Sequence, residues 1–182
     1  MKLSRDFYTG ENAVTIARNL LGKVLFTNIN NKITAGIITE TEAYMGANDK
    51  ASHAFGGRRT ARTEIMFQEG GIAYVYLCYG IHSLFNVVTA KKDVPHAVLI
   101  RAVKPLKGID IMLKRRGLSS ITPSAFIGPG KVSKALGIDY SLTGISLLEK
   151  LIWIEDHKIK IPDSSIEVGP RIGVDYAGED AL

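Results

Sequence analysis

Two glutamates two positions apart are the first candidates for chemistry in this sequence. Glu40 and Glu42 lie in the segment TETEAYMG, residues 39–46, and on a strand their side chains would share one face. Neighbouring carboxylates repel each other when they are buried, and one of them can then be tuned as a general base. Tyr44 would extend the same face. The alternative is a solvated strand face without chemistry, and the spacing leaves it open.

A cluster of tyrosines is the second candidate. In AYVYLCYG, residues 73–80, Tyr74 and Tyr76 would share one strand face, and Tyr79 would approach the tip of a hairpin. Such a platform can stack nucleobases for about 1–3 kcal/mol per base. An aromatic side chain at a turn tip can also wedge into a base step. Packing in a core or an interface explains the same tyrosines, so both interpretations remain.

Basic residues are concentrated in loops and at one helix start. GGRRTART at residues 56–63 offers guanidinium groups, hydroxyls and backbone N–H groups to phosphates. GPGKVSKALGI at residues 128–138 is typical of a glycine-rich turn that opens a helix, where an anion can bind. The alternative for each run is a solvated basic surface.

The charge distribution favours a polyanionic partner. The 182 residues carry a net charge of +5, with +9 over residues 1–150 and −4 over residues 151–182. Lysines and arginines that neutralise phosphates release counterions, which drives binding to nucleic acid.

The single cysteine, Cys78, excludes an intrachain disulfide and a thiolate metal site, and the four histidines lack metal-ligand spacing. We therefore predict no metal and no cofactor. The sequence shows no secretory signal and no apolar run near the roughly 20 residues of a membrane span. We expect a monomer without a membrane partner, cytoplasmic and associated with the nucleoid.

Strands are predicted more often than helices. The predicted strands cover residues 23–29, 33–41, 72–78, 81–89, 96–103 and 151–155, and the predicted helices cover residues 9–21, 106–116 and 130–136. Thr9 is the predicted cap of the first helix. Because hairpins join most strands, we expect one α+β domain over residues 1–182.

Turns and loops complete this prediction. Asn30-Asn31 and Tyr79-Gly80 are the predicted hairpin turns. Residues 46–71 are predicted to form a long ordered loop with short helical pieces, because apolar residues punctuate them. The tail from Gly169 to Val174 is predicted to be irregular or a short strand.

Nine segments, taken in order, resemble the alkyladenine (3-methyladenine) DNA glycosylase family in its compact bacterial form. They are ARNLLGKVL (17–25), TETEAYMG (39–46), SHAFGGRRTART (52–63), MF (66–67), YVYLCYG (74–80), FNV (85–87), VLIRAVKPLKG (98–108), GPGKVSKALGI (128–138) and RIGVDYAGE (171–179). The resemblance implies a curved antiparallel sheet surrounded by helices, with a β-hairpin at the DNA-binding face.

The resemblance also implies roles for matching residues. Glu42 matches the general base that activates the attacking water, and Arg101 matches an arginine that helps to hold this water and the carboxylate. Side chains that contact the flipped base match Tyr44 and His53 on one side, Tyr76 on the other and Asn86 at the base edge.

DNA contacts outside the base pocket follow from the same resemblance. Tyr79 matches the residue that intercalates where the damaged nucleotide was stacked. The predicted phosphate contacts are Arg58, Thr60, Arg62 and Lys131.

The expected activity is therefore base-excision repair. The chain would flip alkylated or deaminated purines out of duplex DNA and hydrolyse the N-glycosidic bond, with 3-methyladenine, 7-methylguanine, hypoxanthine and ethenoadenine as the substrate class. No lysine stands out as a Schiff-base nucleophile, so we expect a monofunctional enzyme that leaves an abasic site.

Two alternatives and one departure accompany this expectation. A non-catalytic nucleic-acid-binding module would lack Glu42, Arg101 and Asn86, and a hydrolase of free nucleosides would need neither a basic surface nor Tyr79. Family members usually continue past the AGE segment into a further strand, whereas this sequence stops at Leu182, which would leave an exposed sheet edge.

Overall fold

Six antiparallel strands form one curved sheet in the computed structural model, which describes residues 1–10 and 12–181. The strands are β1 (Val24–Ile29), β2 (Lys32–Tyr44), β3 (Ile72–Cys78), β4 (His82–Thr89), β5 (His96–Lys107) and β6 (Ile152–Glu155). Their order across the sheet is β3-β4-β5-β2-β1-β6. The predicted α+β class with a curved antiparallel sheet is confirmed.

Both predicted hairpin turns are confirmed by their backbone angles. Asn30 and Asn31 join β1 to β2 with φ of 54° and 59°, and Tyr79 and Gly80 join β3 to β4 with φ of 53° and 72°. Two successive residues with positive φ are the signature of a turn whose twist matches the flanking strands. Tyr79, a bulky residue in this conformation, is held at the extreme tip of its hairpin.

Strand β2 is longer than predicted and irregular at its centre. It continues past Thr41 to Tyr44 because it keeps pairing with β5, up to the pair of Tyr44 with Ala97. The register shifts on both sides of Glu40, as in a β-bulge. Bulges bend a strand and redirect its side chains, and they are common beside active sites.

Four helices flank the sheet: α1 (Arg5–Thr9), α2 (Ala13–Leu20), α3 (Ile109–Arg116) and α4 (Pro129–Leu136). The predicted single helix from Thr9 was wrong, because Thr9 ends α1 and the side chain of Asn12 caps α2 by accepting from Thr15 N. The predicted helix start at Leu106 was also wrong. β5 runs through that position, and α3 follows Gly108 at φ 67°.

The main hydrophobic core lies where these helices pack on the sheet. It includes Ile16 and Leu20 of α2, Val132 and Leu136 of α4, and Phe85 of β4, all essentially inaccessible to solvent. Burial of such side chains stabilises the fold by roughly 1.5–3 kcal/mol each. The core fixes β2, β4 and β5 relative to one another, and these strands carry the candidate site.

The outer edges of the sheet are largely occupied. On β3, Ala73 N donates to Ile145 O at 2.9 Å, and on β6, Ile154 O accepts from Leu3 N at 2.9 Å. The side of β2 beyond Ile37 has no strand beside it in the described part of the chain, because β1 pairs only up to that residue. The second half of β2 is therefore a sheet edge in the described part of the chain.

The long loop and the tail are irregular but ordered by short turns. Single 3₁₀ turns occupy Gly46–Asn48, Phe55–Gly57 and Glu64–Phe67, as the sequence predicted for residues 46–71. Residues 169–174 are irregular, which is one of the two alternatives predicted for them, and a kinked 3₁₀ segment follows at Asp175–Ala181. Within the described residues, no helix combines the length and the apolar character that a membrane crossing requires.

Candidate active site

A row of paired residues across three strand pairs brings the predicted site together. Glu42 on β2 lies opposite Leu99 on β5, Leu99 lies opposite Asn86 on β4, and Asn86 lies opposite Tyr74 on β3. Residues directly paired in antiparallel strands point to the same face. Long-range strand pairing therefore places side chains 32 positions apart in the sequence, Glu42 and Tyr74, on one surface.

Glu42 is a buried carboxylate whose oxygens are surrounded by donors. Its side chain is only 7% exposed. Oε2 accepts from the Tyr44 hydroxyl at 2.9 Å, and Oε1 accepts from the backbone N of Ile172 at 2.8 Å. The Nε of Arg101 lies 3.3 Å from Oε1. These three contacts hold the carboxylate in one orientation.

Arg101 links the two glutamates that stood out in the sequence. Its Nε donates to Glu40 Oε1 at 3.1 Å, and Glu40 is much more exposed than Glu42, at 38% of its side chain. Arg101 lies opposite the irregularity in β2, and its backbone O accepts from Gly128 N at 2.8 Å, immediately before α4. The bulge thus lets both carboxylates reach one arginine while burying only one of them.

Aromatic rings gather beside this carboxylate. The rings of His53 and Tyr76 meet edge to face with centroids 4.6 Å apart, and the ring of Tyr74 lies 5.6 Å from that of Tyr76. Burial raises the pKa of Tyr76 to about 12, with Cys78 and Glu42 adding to the effect. Burial, followed by the charge of Glu42 and its hydrogen bond, raises the pKa of Tyr44 further still. Both tyrosines therefore stay neutral donors near Glu42.

His53 is a neutral member of this group. Its Nδ1 lies 2.7 Å from the Tyr74 hydroxyl, which fixes the orientation of the ring. Burial lowers the pKa of His53 to about 4, and the positive charge of Arg62 contributes. At neutral pH the ring can thus offer one donor or one acceptor nitrogen to a base edge, but no charge.

Asn86 is buried in the row and is held by the backbone. It is 3% exposed, and its Nδ2 donates to Tyr74 O at 3.2 Å and to Leu84 O at 3.3 Å. A side chain anchored in this way cannot easily rotate to suit a different partner. The position fits the predicted role at a base edge, which remains a prediction.

The predicted DNA contacts outside the pocket lie in two places. Tyr79 is 92% exposed, and a groove of about 730 Å³ beside it is lined by Tyr79, His82, Lys131 and Lys134. The Nζ of Lys131 donates to Ser124 O at 3.1 Å. The hairpin tip and the start of α4 therefore share one basic groove.

The second place is the loop that contains Arg58, Thr60 and Arg62. Both arginines are exposed, and in the described part of the chain their side chains make no hydrogen bond or ion pair. The Thr60 hydroxyl bonds with that of Thr63 at 3.1 Å, which stabilises the loop itself. Arg59 is different, because it pairs with Glu64 and Asp93 and its guanidinium stacks on a phenylalanine.

Three contributors to the site were missed in the sequence. Arg171 pairs with Asp49 through two bonds of 2.6 and 2.9 Å, and its guanidinium lies 4.7 Å from the Tyr44 ring centre. The third is the backbone N of Ile172. Arg171 opens the segment RIGVDYAGE that contributed to the family resemblance, but no local signal pairs it with Asp49 across 122 positions.

Glu42 also lines a cavity, of about 1080 Å³. The free side of β2, helix α2 and residues 161–172 enclose it, and Glu40 and Glu42 contribute polar lining. The cavity gives water a route to a carboxylate that is otherwise almost completely covered. Carboxylate, arginine, rings and water access together can support general-base hydrolysis beside a planar group.

Comparison with known proteins agrees with this geometry. A family model described as methylpurine-DNA glycosylase (MPG) matches residues 6–182. The chain belongs to the methylpurine-DNA glycosylase family. It is accordingly an enzyme, a glycosylase, and thus a hydrolase.

Relatives extend over nearly the whole chain. A protein of Chlamydia felis is 47% identical over 179 residues, which covers 97% of this chain and 90% of the relative. Proteins of Clostridium perfringens and Bacillus cereus are 46% and 44% identical over 187 residues, covering 98% of this chain and 91% of each relative. All three carry the provisional name 3-methyladenine DNA glycosylase.

Proposed function

We propose that this methylpurine-DNA glycosylase family member removes alkylated or deaminated purines from duplex DNA and leaves an abasic site. The observation that carries the proposal is Glu42, a 7% exposed carboxylate that two hydrogen-bond donors and the guanidinium of Arg101 hold beside the rings of Tyr44 and Tyr76. A structural acid would need no aromatic surroundings and no route for water.

The chemical step is hydrolysis of the bond between the sugar and the base. Glu42 takes a proton from water as the water oxygen bonds to the anomeric carbon, and the N-glycosidic bond breaks with its electron pair going to the base. Positive charge develops on the sugar in such a transition state. The carboxylate is well placed to stabilise that charge as well as to orient the water.

Arg101 holds the carboxylate in place. Its Nε lies 3.3 Å from Glu42 Oε1 and donates to Glu40 Oε1 at 3.1 Å, so one guanidinium is attracted to both acids. Because it bonds to Glu40 as well, its guanidinium stays fixed while Glu42 accepts a proton. Arg101 therefore acts on the reaction through the base and its water.

The rings select the damaged base once it leaves the helix. A base inside a duplex is inaccessible, so it must be flipped out at a cost of a few kcal/mol. Tyr44, His53 and Tyr76 supply π faces and edges that favour cationic or electron-poor purines such as 3-methyladenine and 7-methylguanine. Asn86 and the neutral His53 then contact the base edge, where hypoxanthine and ethenoadenine differ from adenine.

Binding to DNA uses the hairpin tip and the basic loops. Tyr79 fills the gap left by the flipped nucleotide, and Arg58, Thr60, Arg62 and Lys131 contact phosphates along the strand. The enzyme acts as a monomer at the nucleoid. We propose a monofunctional reaction, since among the described residues the partners of Glu42 are the Tyr44 hydroxyl, the Ile172 amide and the Arg101 guanidinium, and no lysine bonds to it.

The test is incubation of the purified protein with duplexes that carry one 3-methyladenine, hypoxanthine or ethenoadenine. Chromatography of the released base and electrophoresis of the strand, with and without alkali, measure the two products separately. Release of at least one free base with strand breaks only after alkali is the expected result. Binding without release would leave only a nucleic-acid-binding module, and breaks without alkali would contradict the monofunctional reaction.

A further inference from the structure

Arg171 and Asp49 form a buried ion pair beside the candidate base. Their side chains are 10% and 5% exposed, and the two guanidinium bonds of 2.6 and 2.9 Å give the pair a bidentate geometry. Such geometry is the strongest form of the interaction between arginine and a carboxylate. The guanidinium of Arg171 also lies 4.7 Å from the centre of the Tyr44 ring, so the pair borders the proposed base pocket.

The pair joins three separate segments of the chain. Asp49 accepts from Met45 N and from Ala51 N, both at 2.9 Å, and so orders the loop that follows β2. Arg171 donates to Ala43 O at 2.8 Å and to Asp180 O, which ties the tail to the end of β2. The second half of β2, which lacks a strand on one side, is thus fastened by Arg171.

We propose that Arg171 is a positioning residue for the general base Glu42. Both hydrogen-bond donors to Glu42 depend on it. Its guanidinium lies over the Tyr44 ring, whose hydroxyl donates to Oε2, and the next backbone N, of Ile172, donates to Oε1. The inference rests on the proposed function, because Glu42 is the base only in that reaction.

A purely stabilising role explains the pair less well. A buried ion pair is weak support for stability, since desolvation of both charges offsets most of their attraction. Apolar residues could have closed the same gap, as Ala51, Val174 and Ala177 do next to it. Apolar residues could not, however, hold the tail backbone at a fixed distance from Glu42 Oε1.

The charges around Glu42 set the direction of the expected pH effect. Arg101 faces it from β5, Glu40 and Tyr44 from β2, Tyr76 from β3, and Arg171 from the tail. Loss of the Tyr44 and Ile172 donors removes two hydrogen bonds to the charged carboxylate. The acid limb of the rate profile then moves to higher pH.

The experiment measures single-turnover base release from saturated enzyme between pH 5 and 8. Arg171→Lys keeps the positive charge but loses the pair of guanidinium bonds to Asp49. Asp49→Asn keeps the size of the side chain but loses its negative charge. For both variants we expect the rate to fall about tenfold to a hundredfold, since displacements near 1 Å can cost that much. The acid limb of the pH–rate profile should move to higher pH, while the dissociation constant for lesion DNA changes less than threefold.

Arg59→Lys is the matched control. Arg59 also pairs with two carboxylates and stacks on Phe67 at 3.9 Å, but in the exposed loop away from Glu42. The acid limb of the pH–rate profile of Arg59→Lys should match that of the wild type. Melting temperatures identify any variant that fails to fold, and Asp49→Asn then serves in place of Arg171→Lys.

An unmoved acid limb in folded Arg171→Lys and Asp49→Asn proteins would overturn the inference and leave the pair a structural role. Loss of DNA affinity with an unchanged rate at saturation would overturn it as well. A wild-type protein that releases no base would instead remove the proposed function, so the two failures are distinguishable.

Discussion

The centre of the sheet and the tip of its β3–β4 hairpin differ in how their polar groups are satisfied. At the centre, Glu42, Arg101 and Arg171 bond to other groups of the chain and are at most 10% exposed. At the tip, Tyr79 is 92% exposed, and in the described residues its hydroxyl has no hydrogen-bond partner. The groups at the centre are thus held mainly by the chain itself, although Arg171 Nε has no hydrogen-bond partner among the described residues, whereas the tip is open to a ligand.

From this difference we expect the buried centre to carry the chemical step and the exposed hairpin tip to bind DNA. Catalytic groups that are already oriented need not reorganise during the reaction, which is where enzymes gain most of their electrostatic advantage. Exposed aromatic and basic groups instead gain their partners from the nucleic acid. Variants at the centre should therefore change rates, and variants at the tip should change binding and flipping.

The largest effect is expected for Glu42→Gln. Glutamine keeps the shape but cannot accept the proton, so single-turnover base release should fall by about 10²- to 10⁴-fold. Quantified release from saturated enzyme measures it. Glu40→Gln is the matched control, because it lies on the same strand and shares Arg101 but is far more exposed. Equal losses in the two variants would remove the distinction between the glutamates.

Tyr79→Ala should give the next largest effect. Loss of one stacking contact of about 1–3 kcal/mol corresponds to roughly a 5- to 150-fold lower flipping equilibrium. Base release at limiting enzyme should fall by that factor, whereas the pH dependence of the reaction stays unchanged. Tyr79→Phe keeps the ring, so it should behave as the wild type. An Ala variant with full activity would exclude intercalation at this position.

Two arginines of one loop provide a finer comparison. Arg62→Ala should weaken DNA binding severalfold and reduce the slope of log affinity against log salt by about 1, as expected for one lost phosphate contact. Arg59→Ala should leave that slope unchanged, because Arg59 is engaged with Glu64 and Asp93. Fluorescence anisotropy over a salt series measures both slopes. The assignment of Arg62 fails if the two variants show the same slope.

The smallest expected effect concerns stability at low pH. The pKa of His53 is about 4 in the folded protein and 6.5 ordinarily, so the unfolded chain binds more protons between these values. Stability from the neutral ring is complete above pH 6.5 and is lost as the pH falls toward 4. Urea unfolding at pH 7.5 and about pH 5.8 should show a loss of about 1 kcal/mol that His53→Gln reduces. An identical loss in the variant would contradict the assignment.

Local chemistry explains what the sequence predicted well. The turns at Asn30-Asn31 and Tyr79-Gly80 follow from residues that tolerate positive φ, and α3 and α4 end at glycines with φ of 70° and 74°. The face shared by Glu42 and Tyr44 follows from the strand period, and their hydrogen bond of 2.9 Å bears it out.

Long-range pairing explains what could not be predicted. The bulge at Glu40 depends on the register between β2 and β5, which no local pattern encodes. The division of the predicted first helix into α1 and α2 has a local cause. Thr9 and Asn12 are both residue types that cap helices well, so the sequence does not show which of them is the cap. The pairing of Asp49 with Arg171 exists only because the tail folds back over the end of β2.

The most direct test of the account follows flipping and base release in one rapid-mixing experiment. The duplex carries the lesion that the wild type releases fastest, with a fluorescent adenine analogue beside it that brightens when its neighbour unstacks. Glu42→Gln should give the wild-type fluorescence rise, and its base release should be slower by about a hundredfold or more. Two results would contradict the role of Glu42 as the general base. One is base release by Glu42→Gln at the wild-type rate, and the other is a Glu42→Gln protein that loses the fluorescence rise together with base release.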